Sequence, residues 1–386
     1  MDEKRGGNKV SGPLVSICIT FFNAGRYIHR AIESCLNQSY RNIELIIVDD
    51  ASTDNSEQII KGYLARDPRI KYFRNDTRIR LAESEMKMFR LAAGEFTIML
   101  GADDWLARDY VENGLRSFSK HPDAAGIVPD LMTLIEDGDS GVFKLARGKH
   151  FSPGIFSAGW FAKRMYRPKH LYISALAMVR TEDLVSAFEY YFETYYKDRS
   201  GYFPEELKEF FTRAFGMDVT TFLKILANYK NFVFDDSLNY IKITHSQNQY
   251  FDLKKNTLYE ILKDSYYYYL IYKRIYRSEW SKFFVGMKIF VLAQTFSTII
   301  AGFFRGRFRL SFLNMKESKK MAHLFFSDFS PIETVLAVIY SFPMVICRGT
   351  SFLVRKLKKG YIYKNNDLSL FSEKNFLDSN KRFFSS

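Results

Sequence analysis

The 386-residue sequence has few cysteines and lacks the common phosphate-binding loops. It contains 3 Cys and no CxxC pair, which argues against a metal–thiolate site. Cys18 lies in a strand pattern and Cys35 on the apolar side of a helix pattern, so we expect both to be buried, reduced thiols. No GxxxxGK[ST] loop is present, and no GxGxxG follows the first predicted strand. P-loop chemistry is therefore excluded, and the dinucleotide fingerprint is missing.

The first twelve residues are polar and contain no apolar segment of the kind that a signal peptide carries. We therefore expect residues 1–12 to form a short disordered lead-in. Together with the reduced thiols, this start favours a cytoplasmic protein.

Positive charge is distributed unevenly along the chain. The net charge is +13; residues 1–250 have 33 Lys and Arg against 33 Asp and Glu, whereas residues 251–386 have 23 against 10. The basic part is also rich in aromatic and aliphatic residues, a combination typical of proteins that bind an anionic membrane surface. Nucleic acid is the competing partner for a basic patch. The apolar runs are too long for a solvated nucleic-acid face, so we favour the membrane.

Two apolar stretches lie in this basic part, at residues 283–304 and 332–353. Each is near the length of about 20 residues that spans a bilayer. Lys288 and Gln294 interrupt the first stretch, and Pro343 and Arg348 interrupt the second. These interruptions argue against simple lipid-exposed spans. We favour amphipathic helices that lie in the membrane interface; spans, a soluble helical domain and an oligomer interface remain open.

The N-terminal part alternates between strand and helix patterns. Apolar runs begin at Leu14, Ile43 and Phe96, a further strand pattern, RIKYF, begins at Arg69, and helical patterns separate the four. This alternation, at intervals of about 25 residues, is typical of βαβ units and predicts an α/β fold with a mostly parallel sheet. Ligands bind beyond the carboxyl ends of the strands in such sheets. Each of the three runs ends in a polar loop at that edge.

Paired acids end two of the apolar runs. The stretch IELIIVDDASTDNS contains Asp49 and Asp50, and FTIMLGADDW contains Asp103 and Asp104. Carboxylates suit Mg²⁺ or Mn²⁺, which proteins often hold with one or two carboxylates and the phosphates of a substrate. Another carboxylate could accept a ribose hydroxyl, as acids do in other nucleotide-binding folds. The sequence therefore predicts a nucleotide and metal site at this edge.

Four ordered pieces of sequence resemble one known family. They run from PLVSICITFFNAGRYIHRAIESCLNQSYRNIELIIVDDASTDNS through AAGEFTIMLGADDWL and GMD to YIKITHSQNQ. In this order they resemble the inverting family-2 glycosyltransferases with a GT-A fold, over residues 13–245. The resemblance implies a GT-A domain at residues 13–250, with a central, mostly parallel sheet between helices. Residues 251–386 would be a helical region that associates with a membrane surface or forms oligomers.

The resemblance also implies roles for individual residues at the donor site. The loop after the first strand would line the nucleotide base, and the acids and an arginine would bind the base, ribose, diphosphate or metal. Asp49 would support the loop beside Asp50. The donor residues would be Thr20, Phe21, Asn23, Asp50, Arg80 and Asp103; the metal ligands would be Asp104, Asp103 and His245, for Mn²⁺ or Mg²⁺.

In this resemblance, Asp218 stands at the position of the catalytic base. The implied reaction is a direct displacement in which Asp218 removes the proton of an acceptor hydroxyl. Simpler interpretations stay open for three residues. Asp218 could be an acid favoured by the helix dipole, His245 could be structural, and Arg80 could be a solvated residue at a helix start, with Arg78 as its close competitor for the donor role.

The sequence departs from the family at one position and lacks a motif of one subgroup. Gly101 stands where family members often have the first acid of an Asp-x-Asp-Asp motif, and we expect activity to survive with Asp103 and Asp104. The QxxRW motif of processive polysaccharide synthases is absent, which favours transfer of a single sugar.

The expected enzyme adds a sugar, from a donor that is by default a UDP-sugar, to a lipid-linked or surface-polysaccharide precursor. It would work at the inner face of the cytoplasmic membrane. One alternative is a transferase for a soluble or protein acceptor, with residues 251–386 used for oligomerisation. A non-catalytic nucleotide-sugar-binding scaffold is the other.

Overall fold

The computed structural model describes residues 12–136, 142–147, 152–157, 160, 177–197 and 217–244. It also describes short stretches nearer the C-terminus, at 269–270, 273–274, 292, 323, 326–327, 329–339, 341 and 371–372. His245, Cys347 and nearly all of the apolar stretch 283–304 lie outside the described residues. Residues 1–11 of the predicted lead-in lie outside them too.

Strands and helices alternate regularly through the first hundred residues, as predicted. The elements are β1 (Val15–Phe21), α1 (Ile28–Leu36), β2 (Ile43–Asp49), α2 (Ser56–Leu64), β3 (Ile70–Arg74), α3 (Leu81–Leu91) and β4 (Phe96–Met99). The next elements are β5 (Trp105–Leu106), α4 (Tyr110–Lys120), β6 (Ala124–Glu136), β7 (Val142–Arg147) and β8 (Gly154–Ser157). After them come β9 (Val179–Arg180), α5 (Thr181–Tyr191), a π-helical turn (Phe192–Tyr196), α6 (Met217–Ala227), β10 (Asn231–Thr244), the helix α7 at residues 331–339 and β11 (Phe371–Ser372).

The first sheet has the strand order β3-β2-β1-β4-β9. Strands β1 to β4 are parallel, and only β9 is antiparallel to its neighbour. All seven residues of β2 are buried, as expected of a strand that helices cover on both faces. On α1, the residues at helical spacing turn inwards, namely Ile28, Ala31, Ile32 and Cys35. The predicted α/β class is confirmed.

A second, mixed sheet has the order β11-β7-β6-β10-β5, with β8 also paired to β10. The sequence predicts a strand pair or a strand and turn in the region of β6, and a strand and turn in the region of β10. The structure has one long strand in each place. β10 continues past an irregularity between Asp235 and Asn239, where the register with β6 shifts. There Asp235 accepts hydrogen bonds from the backbone N–H and the hydroxyl of Ser237, at 2.9 and 2.7 Å.

A buried acid stabilises the first sheet away from the predicted site. Glu44 accepts hydrogen bonds from the Ser16 hydroxyl at 2.5 Å and from the Ala93 N–H at 2.7 Å, and it pairs with Lys71 at 2.6 Å. These donors outweigh the cost of burial and lower the pKa of the Glu44 carboxyl. Cys18 and Cys35 are buried and free, which confirms their predicted burial.

Within the described ranges, each helix is too short or too polar to traverse a bilayer. Of the second apolar stretch, residues 332–339 and 341 are described, and residues 332–339 are helical.

Candidate active site

The carboxyl ends of β1, β2 and β4 lie side by side at one edge of the first sheet. Phe21 of β1 is level with Asp49 of β2, and the Asp50 N–H donates to the Phe21 carbonyl at 2.9 Å. On the other side of β1, the Leu100 N–H donates to the Cys18 carbonyl at 2.9 Å. The loops that follow these strands therefore begin as neighbours, and the two acid pairs of the sequence reach the same edge.

Asp49 holds the loop after β2. Its Oδ1 accepts the Ser52 N–H at 2.7 Å, and its Oδ2 accepts the Tyr72 hydroxyl at 2.9 Å. Arg74 also lies 3.5 Å from Oδ2. Because both carboxylate oxygens are engaged and the side chain is fully buried, Asp49 supports the loop, as the resemblance implies.

Asp50 organises the loop that follows β3. Its Oδ1 accepts hydrogen bonds from the Asn75 side chain at 3.0 Å and from the Ile79 N–H at 2.9 Å. Lys87 in turn donates to Asn75 at 2.8 Å. The remaining oxygen, Oδ2, has the Arg78 guanidinium 4.0 Å away. Asp50 thus has one oxygen fixed by the fold and a second oxygen beside an exposed cation.

Two arginines compete for the donor role. The guanidinium of Arg78 lies 3.8 Å from the ring centroid of Phe22, a cation–π contact, as well as near Asp50. Arg80 is exposed; its carbonyl accepts the Ser84 N–H at 3.1 Å, but its side chain makes no hydrogen bond or ion pair within the described part of the chain. The structure therefore brings Arg78 to Asp50, whereas the role of Arg80 stays a prediction.

The aromatic side chain exposed at this edge is Phe22, not Phe21. Phe21 is 6% exposed and packs in the core, whereas Phe22 is 36% exposed. Successive side chains of a strand point to opposite faces, so a shift of one residue decides which ring reaches the site. The Phe21 ring is therefore buried in the core and the Phe22 ring is exposed at this edge, and the donor role of Phe21 stays a prediction.

Asn23 joins the loops after β1 and β2. Its backbone N–H donates to the Ser52 hydroxyl at 2.9 Å, and its Oδ1 accepts the Thr53 N–H at 2.8 Å. Thr20, near the end of β1, has a buried hydroxyl without a hydrogen-bond partner among the described residues. Buried polar atoms are normally satisfied, so this hydroxyl is unusual, and the donor role of Thr20 stays a prediction.

Backbone strain coincides with these loops. Among the described residues, the non-glycine residues with positive φ are Asn23, Ala51 and Arg80, at 54°, 61° and 78°. The left-handed region is unfavourable for residues with a Cβ, and such strain persists where the surroundings impose it, often at functional sites. All three residues flank the edge that carries Asp50.

The loop after β4 is tied to the second sheet through Asp104. The Tyr240 hydroxyl of β10 donates to Asp104 Oδ2 at 2.8 Å, and the Ile243 N–H donates to Asp104 Oδ1 at 2.8 Å. The same hydroxyl accepts the Gly101 N–H at 3.0 Å. One buried tyrosine therefore fixes both ends of the turn that carries Asp103 and Asp104.

Gly101 leaves room for the two carboxylates. A Cβ at position 101 would lie 2.7 Å from Asp104 Oδ2, closer than real Cβ atoms approach without a shift, and 3.0 Å from Asp103 Oδ1, which is a tight contact. The two carboxylates thus converge on the space beside the glycine. In this arrangement an acid at position 101 could not be added without moving them.

Asp104 is poised between its charged and neutral forms. Burial, together with the negative charge of Asp103, raises the pKa of the Asp104 carboxyl to about 7, and the charge of Lys242 opposes that rise. Removal of a carboxylate from water disfavours its charged form, as does a like charge nearby. A bound cation would relieve both effects.

The two carboxylates fit a divalent cation of the magnesium class. They supply hard oxygen ligands that converge, and each oxygen of Asp104 keeps a lone pair after its one hydrogen bond. Within the described ranges, no cluster of three or more His, Cys, Asp or Glu side chains could hold a metal by itself. Two carboxylates completed by substrate phosphates would suit such an ion.

The remaining predicted residues are less well placed by the structure. Asp218 is the second residue of α6, but its side chain lies outside the described part, as does all of His245. The geometry therefore does not test their roles as base and metal ligand, and both stay predictions.

Sequence reasoning missed the residues that hold the acids in place. Tyr240 and Asn75 are buried and contact Asp104 and Asp50, respectively. Tyr240 is one of the inward-facing residues of β10, but nothing local in the sequence distinguishes it from a core tyrosine. Only its pairing across 136 positions to Asp104 reveals its role.

Comparison with known proteins shows which family this region is similar to. A family profile described as Glycosyl transferase family 2 matches residues 16–151. An uncharacterized glycosyltransferase of Haemophilus influenzae is 42% identical over 103 residues, which cover 27% of this chain and 41% of that protein. The putative glycosyltransferase EpsE of Bacillus subtilis is 34% identical over 154 residues, which cover 40% of this chain and 53% of EpsE. The chain thus spans about half or less of the length of these relatives.

A solved structure extends the likeness in fold. S. aureus TarS 1-349, in complex with UDP-GlcNAc, matches with a TM-score of 0.56 at 14% identity, over 86% of this chain and 89% of TarS 1-349. At this identity the likeness concerns the fold, and it supports a GT-A-like α/β architecture.

The space at Gly101 yields a first prediction. In Gly101→Ala the new methyl group would collide with both carboxylates, so we expect metal affinity to fall by roughly tenfold or more, because the ligands must move from their converging positions. Titration of Mn²⁺, followed by calorimetry, measures this. Gly62→Ala is the matched control, since a Cβ at position 62 meets nothing within 4 Å. Equal Mn²⁺ affinity in Gly101→Ala and wild type would contradict the arrangement.

The raised pKa of Asp104 yields a second prediction. The Asp104 carboxyl has a pKa of about 3.9 in the unfolded chain and about 7 in the folded protein. The protonated carboxyl therefore stabilises the fold below the unfolded-state pKa, and this contribution is lost as the pH rises towards about 7. We expect Asp104→Asn to remove this decline, which is on the order of a few kcal/mol. Chemical denaturation at pH 5 and pH 8 without divalent cations checks it.

Added Mn²⁺ provides the internal control for that experiment. It should restore stability at pH 8 in the wild type but not in Asp104→Asn. A variant whose stability declines with pH as steeply as that of the wild type would refute the assignment to Asp104.

Proposed function

We propose that this chain is a glycosyltransferase that moves one sugar from a nucleoside-diphosphate sugar to an acceptor hydroxyl, because residues 16–151 match the family profile described as Glycosyl transferase family 2. The observation that carries the proposal is the convergence of Asp103 and Asp104 beside Gly101, at the edge where Asp50 lies. That edge offers oxygen ligands for a cation next to groups that suit a nucleoside.

The proposed nucleoside site consists of the loops after β1, β2 and β3. Asp50 would accept a hydrogen bond from the base or ribose through Oδ2, the oxygen to which no backbone or amide group of the described residues donates. Phe22 offers an exposed ring on which a base can stack, and Thr20 and Asn23 would line the same side. Arg78, or Arg80, would meet the negative charge of the diphosphate.

The proposed metal ligands are Asp104 and Asp103, with His245 as a further candidate. A Mn²⁺ or Mg²⁺ ion bound there would neutralise charge on the departing diphosphate. Tyr240 and the Ile243 N–H hold the Asp104 carboxylate in a fixed orientation, so the fold sets the ligand before the substrate arrives.

The proposed base is Asp218, in the first turn of α6. Its carboxylate would take the proton of the acceptor hydroxyl while the hydroxyl oxygen attacks the anomeric carbon. The bond from that carbon to the diphosphate oxygen breaks, the nucleoside diphosphate leaves with both bonding electrons, and the configuration inverts. One carboxylate suffices for such a single displacement, because the nucleoside diphosphate leaves as an anion and needs no general acid, unlike the leaving group of an inverting glycoside hydrolase.

A solved structure favours one class of donor, and the sequence favours one class of acceptor. TarS has been solved with UDP-GlcNAc, so a UDP-sugar is the first donor to test. The absence of QxxRW favours single transfer. The basic, apolar C-terminal part supports a lipid-linked oligosaccharide or surface-polysaccharide precursor as the acceptor, at the cytoplasmic face of a membrane.

The assignment of the base yields a third prediction. Asp218→Asn should reduce turnover by at least about a thousandfold, because an amide cannot accept the proton, while UDP affinity stays within about twofold. Release of UDP from a UDP-sugar in the presence of acceptor measures turnover, and calorimetry measures UDP binding.

Glu182→Gln is the matched control, because Glu182 is an exposed acid at the same position of another helix, α5. If Asp218 were only a favourable acid at a helix start, both variants would lose similar, small amounts of stability and keep their turnover. That result would overturn the base assignment without affecting the donor site.

A further inference from the structure

The position at which helix α7 begins is set by its own sequence. The Glu333 carboxylate accepts the Ser330 N–H at 2.8 Å, and the Ser330 hydroxyl accepts the Glu333 N–H at 3.2 Å. This reciprocal arrangement is a capping box, and Pro331 occupies the first helical position, where its missing N–H has no cost. Short-range interactions therefore specify where α7 begins and, with it, which residues share each of its faces.

One face of α7 is apolar and points to solvent. Ile332, Val335, Leu336 and Ile339 follow the i, i+3, i+4, i+7 spacing of a single helical face, which we call the α7 apolar face. Their side chains are 73%, 58%, 36% and 59% exposed. Ala337, by contrast, is fully buried. A stripe that would normally face a core is thus presented outwards, which marks an interaction surface.

The sequence around α7 indicates what covers this face. Between Glu333 and Asp367 it contains no acidic residue and six basic ones, namely Arg348, Arg355, Lys356, Lys358, Lys359 and Lys364. A second copy of the chain seated on the same face would bring two such segments together, and like charges oppose that association. Anionic lipid headgroups attract basic segments that adjoin an apolar helix face.

We propose that the α7 apolar face inserts into the interfacial layer of a membrane that contains anionic lipid. The helix would lie along the surface, with its apolar side chains among the upper acyl chains and the following basic segment at the headgroups. The proposal deepens the membrane location given under the proposed function and rests on that location, but it does not depend on the transfer chemistry.

The test compares vesicle binding by the full chain and by variants of α7. Vesicles of phosphatidylcholine alone, and of equal parts phosphatidylcholine and phosphatidylglycerol, are sedimented with the protein. Wild type should bind the mixed vesicles. Val335→Asp/Ile339→Asp should weaken the partition by about tenfold or more, because two buried aliphatic side chains are lost from the lipid. Val335→Ser/Ile339→Ser, which adds no charge, should weaken it in the same direction.

Ile155→Asp is the matched control, because Ile155 is 56% exposed on strand β8 and should leave the partition unchanged. Wild-type protein that stays in solution with mixed vesicles would overturn the proposal. So would α7 variants that bind as wild type does. Variants that lose self-association in sedimentation velocity, with vesicle binding intact, would assign the face to a second copy instead. UDP binding, measured in each variant, separates failure of this proposal from failure of the donor site.

Discussion

The hydrogen bond from Tyr240 to Asp104 is the interaction on which the rest of the site depends. It joins the loop after β4, in the first sheet, to β10 of the second sheet. Burial of a carboxylate is unfavourable. Here two hydrogen-bond donors and a nearby lysine offset only part of that free-energy cost, since the pKa of Asp104 remains raised. The residual cost would favour binding of a cation at the proposed metal site. The same contacts that orient Asp104 would therefore also suit it to the proposed role of metal ligand.

The other acids at this edge differ in how many of their carboxylate oxygens the fold itself uses. Asp49 uses both oxygens within the protein and sets the turn after β2. Asp50 uses one oxygen to hold the loop after β3 and keeps the second beside Arg78. The positive φ angles of Asn23, Ala51 and Arg80 show that these loops are held in conformations that local sequence disfavours. Such loops keep their shape because the acids anchor them, and a preformed shape lowers the entropic cost of binding a nucleotide.

The extent to which sequence predicts this structure differs between its two sheets. The first sheet follows from local pattern, because short apolar runs such as β2 and the helical spacing on α1 each indicate one element. The second sheet does not, because β6 and β10 are long strands whose interiors contain polar residues such as Asp130 and Asp235. In the sequence alone, these aspartates look like turn residues, and only the pairing with a partner strand shows that they lie within strands. Pairing across more than a hundred residues carries no local signal.

The residues of the candidate site also differ in how far the sequence predicts them. The acids Asp50, Asp103 and Asp104 could be predicted, since carboxylates that follow apolar strands are visible in one dimension and reach one edge of a parallel sheet. The choice between Phe21 and Phe22 depends on a single-residue register, and the choice between Arg78 and Arg80 depends on the path of a strained loop. Tyr240 could be recognised only from its contact.

The most direct test of the central claim is titration of UDP, GDP and dTDP into the full chain, with and without Mn²⁺, followed by thermal unfolding. The account predicts that one nucleotide stabilises the protein only when the metal is present, by about 2.7 kcal/mol at a hundredfold excess over Kd. A folded protein that none of the three nucleotides stabilises, with or without the metal, would contradict the assignment of this edge as a nucleotide-sugar site.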